Sequence, residues 1–309
     1  MLYNIILPED RMKKYSGEVG LFTVAIIWGS GFVGAKLALD GGITPMQTLT
    51  LRFLMGSIIL SLLFFKKIKE NISKESFIAG AILGLFSFIG FSTQTIGLAY
   101  TTASKNAFIT AINVIIVPFI GFIIYKRKVD KIGVISSILA LIGIAVLSLE
   151  ANWSINFGDF LTFICAFAFA FHIFFTGEFI VKYNPYVLTV IQFFVAFVLS
   201  FILQIAIGQG QISASKWGYA GVLYLGIFST AIAFLIQTKC QRLVDQTRSD
   251  IILSTESVFG AILSIIILNE VLSVRMIVGC IIIFTSIIIA ETKLSFLKKK
   301  SVDEEFGDM

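Results

Sequence analysis

Residues 77–98 read FIAGAILGLFSFIGFSTQTIGL, with no charged side chain from end to end. A helix needs about 20 apolar residues to cross the hydrocarbon core of a bilayer, and this run supplies them. Its apolar residues do not alternate, and it is about twice the length of a barrel strand, so a helix is expected and not an outer-membrane barrel. The reading of this one stretch sets the fold class: it belongs in lipid.

The rest of the chain agrees. Of 309 residues, 57% are apolar and only 14% charged, and the mean hydropathy is +0.94. A soluble domain usually carries about 25% charged residues. Too few charges remain to coat a water-soluble enzyme of this size, and the apolar fraction excludes disorder. Similar runs fall at 19–39, 46–65, 104–125, 131–149, 159–181, 186–207, 217–238, 250–268 and 272–290, making ten with 77–98. The connectors are short and polar, such as Lys66-Lys67-Ile68-Lys69-Glu70-Asn71 and Gly208-Gln209-Gly210-Gln211. Met12-Lys13-Lys14 before an apolar stretch resembles a signal peptide. The stretch is too long for that and lacks a cleavage site, so it is taken as the first span. A start at Met1 or at Met12 fits equally.

Basic residues set the orientation. Arg11, Lys13, Lys14, Lys66, Lys67, Lys69, Lys74, Lys126, Arg127, Lys128, Lys131, Lys182, Lys239, Arg242, Arg248 and the C-terminal lysines fall on one side, against Lys105, Lys216 and Arg275 on the other. Both termini are therefore expected in the cytoplasm. The net charge of +5 reflects contact with anionic lipid and not with nucleic acid.

The chain repeats itself. Gln94-Thr95 returns as Gln237-Thr238 and Ser104-Lys105-Asn106 as Thr247-Arg248-Ser249, both 143 residues later. Gly84-Leu85-Phe86-Ser87 returns as Gly226-Ile227-Phe228-Ser229 after 142, and Pro45 as Pro185 after 140. Each copy holds five spans. Two copies of an odd unit must enter the membrane in opposite senses, and inverted repeats exchange two packings at little cost, as an alternating-access carrier does. The expected fold is an all-α integral membrane protein of ten transmembrane helices in two inverted five-helix repeats. The expected segments are a cytoplasmic tail 1–16, repeats at 17–149 and 158–292, and a cytoplasmic tail 293–309.

Trp28-Gly29-Ser30-Gly31-Phe32-Val33-Gly34-Ala35-Lys36 resembles the opening motif of the EamA-type transporters of the drug/metabolite transporter superfamily. Pro45 with Arg52-Phe53, Gly97-Leu98-Ala99-Tyr100-Thr101-Thr102-Ala103, Val117-Pro118 and Leu268-Asn269-Glu270-Val271-Leu272 resemble later elements of that family in the same order. The resemblance covers residues 17–292. It implies ten helices in two halves and movement of small polar metabolites. The chain departs from the family's pattern at Lys126-Arg127-Lys128, where Glu is frequent, and at Glu256-Ser257, where Pro is common.

An ionisable group in a span costs about 2.5–3.5 kcal/mol on insertion scales, so each one needs a reason. Trp28, Phe32 and Lys36 recur at helical spacing and share one face of the first helix. The two rings would form a cavity wall, and Lys36 would either hold a carboxylate or snorkel to the headgroups. Arg52 lies too deep to snorkel easily and would form a structural ion pair, clamp backbone carbonyls or contact solute. Its repeat counterpart is the uncharged Gln192. His172, the only histidine, lies mid-span, where it would be either a satisfied interior polar group or one that titrates near neutrality during transport. Glu256 would carry a coupling proton or pair with Arg52 or Arg248, and Asn113 holds the equivalent place in the first half. Gly80 and Gly84 would let two helices approach closely, and Pro118 would kink its helix.

No catalytic motif is present: there is no H-E-x-x-H, G-x-S-x-G or phosphate loop at a helix start. No cofactor and no metal site is expected, since one His and three scattered Cys form no ligand set. The expected function is secondary-active transport of small polar solutes, amino-acid-like or drug-like, in the export direction. Either a proton or a counter-solute would be its coupling partner. A lipid or lipid-linked sugar flippase of the same fold is the alternative, and an intramembrane enzyme a distant one. The expected location is the plasma membrane. The oligomeric state is not legible.

Overall fold

The computed structural model describes residues 8–126, 129–148, 155–240, 243–244 and 246–292. Thirteen α-helices and one π-helical segment make up these residues. In the first half they are α1 (Pro8–Asp40), α2 (Pro45–Asn71), α3 (Lys74–Leu98), α4 (Ala103–Thr110), α5 (Asn113–Tyr125) and α6 (Lys131–Ser148). In the second half they are α7 (Phe157–Ile180), α8 (Pro185–Ala206), α9 (Lys216–Tyr224), the π segment (Leu225–Ile232), α10 (Ala233–Cys240), α11 (Gln246–Ser254), α12 (Glu256–Leu268) and α13 (Val274–Thr292). Taken with their broken members joined, nine of these stretches among the described residues are long and apolar enough to cross a membrane. A shorter apolar helix, Val274–Ala290, follows them.

Local sequence fixes where the helices begin. Thr44 and Gln47 close a reciprocal capping box ahead of Pro45, and Ser73 with Ser76 does the same for α3. Thr102, Asn156, Asn184 and Ser215 each accept a backbone N–H at the start of their helices. Such a cap contributes about 1 kcal/mol.

The burial pattern departs from a soluble protein's: large apolar side chains face outward, and polar ones lie inside among the apolar core. Leu62, Leu63, Phe65, Ile123, Ile266 and Ile281 face outward, while Gln47, Thr48, Arg52, Asn106, Thr162, Gln192 and Ser257 are buried. An outer surface of this kind fits lipid and would be a large exposed apolar patch in water.

The helix contacts occur in reciprocal pairs. α1 packs on α9, α10 and α12, as α7 packs on α3, α4 and α5. α2 packs on its counterpart α8, and α6 on its counterpart α13. That reciprocity is what a two-fold relation between the halves produces. Backbone details recur in register as well. The fourth and ninth stretches break at Ile112 and Thr255, and they end in left-handed residues at Lys126 and Asn269, each pair 143 apart. This break is separate from Pro118. It lies more than a turn before the proline, and the second half breaks at the same place with Ala261 in the proline's position.

Glycines bring the two halves together as expected. A Cβ on Gly84 would lie 2.7 Å from Val195 Cβ and 2.8 Å from the Gln192 carbonyl, and one on Gly80 would lie 2.7 Å from Ile191.

Candidate functional site

α2 carries Arg52 into the interior on a face that also presents Phe53. The side chain is 5% exposed. Its Nε donates to Thr230 Oγ1 in the π segment at 3.2 Å. Its guanidinium lies over the Phe91 ring at 4.3 Å and the Phe53 ring at 5.6 Å. Cation–π contact of this kind is strongest where water is excluded. No carboxylate among the described residues lies within ion-pair distance of it, so the expected pair with Glu256 does not form. Nor do its two Nη amino groups find a hydrogen-bond partner among those residues.

A chain of rings runs through the two that hold the cation, Phe91 and Phe53. Phe169 meets Phe91, Phe91 meets Phe53, Phe53 meets Phe193, Phe193 meets Phe234 and Phe234 meets Trp28, at centroid distances from 4.8 to 5.8 Å. These rings come from α7, α3, α2, α8, α10 and α1. Trp28 Nε1 donates to the Ser229 carbonyl at 3.0 Å, on the same π segment that holds Arg52. Ser30 and Tyr224 hydrogen-bond one turn away.

The other expected site residues lie as follows. Phe32 does not share a wall with Trp28; it is buried among Ala35, Leu98, Ala103, Ala107 and Leu225. Lys36 pairs with Asp40 one turn further along α1, at 3.4 Å. His172 Nε2 and Gln192 Oε1 are 2.8 Å apart, so the counterpart of Arg52 is tied to α7. Asn113 is buried as the first residue of α5, just past the break. Glu256 begins α12 just past the equivalent break, where its carbonyl packs against Gly29 of α1. Cys165 Sγ lies 3.9 Å from Thr110 Oγ1, which accepts from Gln94 Nε2 at 3.2 Å. The side chain of Arg248 lies outside the described residues. No group of three or more metal-ligating side chains occurs among those described.

The two ends of the bundle close differently. At the end carrying Asp40 and Leu98, polar contacts join the halves. Glu270 accepts from Ala103 N at 2.7 Å, Ser104 N at 3.2 Å and Ser104 Oγ at 2.6 Å. Buried Asp159 holds Lys105 Nζ at 3.1 Å and also accepts from Thr101. Gln47 Nε2 reaches the Gln211 carbonyl at 2.7 Å. At the other end, Phe64 stacks on Tyr186 at 4.1 Å with Lys67 Nζ 4.4 Å from the Tyr186 ring. Behind that pair lies a small apolar pocket lined by Leu60, Thr189, Phe234 and Leu235.

Sequence reading missed Thr230, Ser229, Phe91, Phe234 and Asp159. Only Ser229 left a trace, as part of the string that repeats Gly84-Leu85-Phe86-Ser87.

Residues 15–149 and 156–292 each match the EamA-like transporter family. An uncharacterized transporter of Archaeoglobus fulgidus is 31% identical over 92% of this chain and 89% of its own length. One from Clostridium kluyveri is 26% identical over 93% and 97%, and the uncharacterized transporter YetK of Bacillus subtilis is 26% identical over 86% and 82%. One solved chain, 15% identical, matches 90% of this chain and 97% of its own with a TM-score of 0.65, which shows a shared fold.

Proposed function

The chain belongs to the EamA-like transporter family, and from that premise we propose that it moves small carboxylate-bearing polar solutes across the plasma membrane by alternating access. In this reading the chain spans the membrane ten times with both termini in the cytoplasm. The two halves rock about a central site, and the preferred direction is export. The end closed by Glu270 and Asp159 faces outside, in keeping with the basic residues gathered at the other end.

The observation that carries the reading is Arg52. A buried cation held by one hydroxyl and two rings, with no acid beside it among the described residues, is costly to keep. A carboxylate bound to its free Nη groups would neutralise it with two parallel hydrogen bonds. Trp28, Phe91 and Phe234 supply an apolar surround for the rest of the solute. Glu256 is the coupling candidate, since it is the only ionisable side chain of α12 and begins that helix at a break shared by both halves.

The test uses purified protein in proteoliposomes and a panel of amino acids and hydroxy acids with their amides. Arg52→Ala should raise KM for the acids by roughly 10- to 100-fold, the worth of about 1.5–3 kcal/mol in hydrogen bonds to a charged group. Competition by the amides should stay within about twofold. Equal loss for acids and amides would make Arg52 structural and end the proposal.

A further inference from the structure

The repeat register slips by one residue inside the second half. The caps Ser73 and Ser215 are 142 apart, and so are Gly84 and Gly226. Gln94 and Gln237 are 143 apart, as are the helix breaks at Ile112 and Thr255. One extra residue therefore sits between Ser229 and Gln237. An α-helix that gained a residue would turn everything beyond it by about 100°. A turn widened from i→i+4 to i→i+5 absorbs the residue and leaves both flanks in place. The structure has its π segment there, at Leu225–Ile232, and the Ala233 N–H reaches back five residues to the Phe228 carbonyl. The equivalent stretch of the first half, within α3, is α-helical throughout.

The widened turn is also where the first half grips the second. Ser229 offers its carbonyl to Trp28 of α1, and Thr230 offers its hydroxyl to Arg52 of α2. Thr230 is fully buried. A Cβ on Gly56 would lie 2.6 Å from Thr230 Cγ2, and one on Gly31 would lie 2.9 Å from Ser229 Oγ. Nothing of the kind holds Gln192, the counterpart of Arg52, which bonds His172 instead.

We infer that the inserted residue makes the site one-sided, and that Thr230 is the positioning residue that aims the Arg52 guanidinium. This rests on the reading of Arg52 as the solute contact. With Nε tied to Thr230 and the guanidinium resting on Phe91, the fork can present only its Nη groups to a carboxylate. A planar fork fixed in advance loses little freedom on binding.

Thr230→Val keeps the shape and removes the hydroxyl, and Thr230→Ser keeps the hydroxyl. For the acid transported fastest in the panel above, Thr230→Val should raise KM about tenfold at unchanged Vmax. Thr230→Ser should stay near the starting value, and inhibition by the corresponding amide should not change in either variant. Deleting Ile232 returns the segment to the register of α3. That variant should still elute as a single species in detergent yet lose its preference for acid over amide. If Arg52→Ala raises KM for the acid while Thr230→Val and Thr230→Ser both leave it unchanged, this inference is overturned and the proposed function stands. If Arg52→Ala has no selective effect, both fall together. Should the deletion variant fail to fold, the Val and Ser pair decides alone.

Discussion

Removing the Glu270 carboxylate should open one end of the bundle. Glu270 belongs to the second half, and its three hydrogen bonds all reach the first turn of α4 in the first half. They exist only while that end is shut. A hydrogen bond to a charged group contributes about 1.5–3 kcal/mol when dry, and an acid at a helix N-terminus adds about 0.3–1 kcal/mol. Glu270 is half-buried, and the Asp159–Lys105 pair beside it stays in place, so the set is worth about 2–3 kcal/mol rather than the full sum. Glu270→Ala should therefore shift the open-to-shut ratio by roughly 30- to 150-fold. Ala35, buried between α1, α4 and the π segment, reports the change. With the three native cysteines replaced, Ala35→Cys should react with an impermeant maleimide faster by that factor once Glu270→Ala is added. Glu270→Gln, which keeps one acceptor oxygen, should fall between. An unchanged labelling rate, with the protein still folded, would refute the idea that Glu270 latches the halves.

Other expectations follow from the same packing. Gly84→Leu must push Val195 and the Gln192 carbonyl apart, and should cost at least the 1–3 kcal/mol typical of overpacking, read as a lower unfolding midpoint in detergent. His172→Leu leaves the buried Gln192 amide without its partner and should cost about 1–3 kcal/mol in stability without altering solute preference, measured by thermal unfolding alongside transport. Pro118→Ala should leave transport within about twofold of the parent, a range of about 0.4 kcal/mol, because the break lies at Ile112 and recurs without a proline. Glu256→Gln should flatten the dependence of uptake on pH while Arg52-dependent selectivity persists; a pH profile that does not change would remove Glu256 from coupling.

The spans, the gathering of the basic residues on one side and the doubling of the chain are all local sums or self-comparisons, so residue order suffices to read them. A run such as 77–98 needs no partner to declare itself, because the bilayer is its environment whatever it packs against. Helix starts at Thr44, Ser73 and Ser215 are equally local, each closing within its own first turn. Pro118 is a local signal, whereas the break at Ile112, matched at Thr255 without a proline, left none in the residue order. The site was half legible. Arg52 stood out as a charge in a greasy helix, but its surroundings did not. Thr230 lies 178 residues further along the chain, and no spacing rule ties a threonine in one span to an arginine in another. The shift of offset from 142 to 143 was written in the residues, yet it acquired meaning only as a widened helical turn with two side chains of the other half bonded to it. Such a contact depends on how helices from opposite halves meet, and tertiary packing decides that.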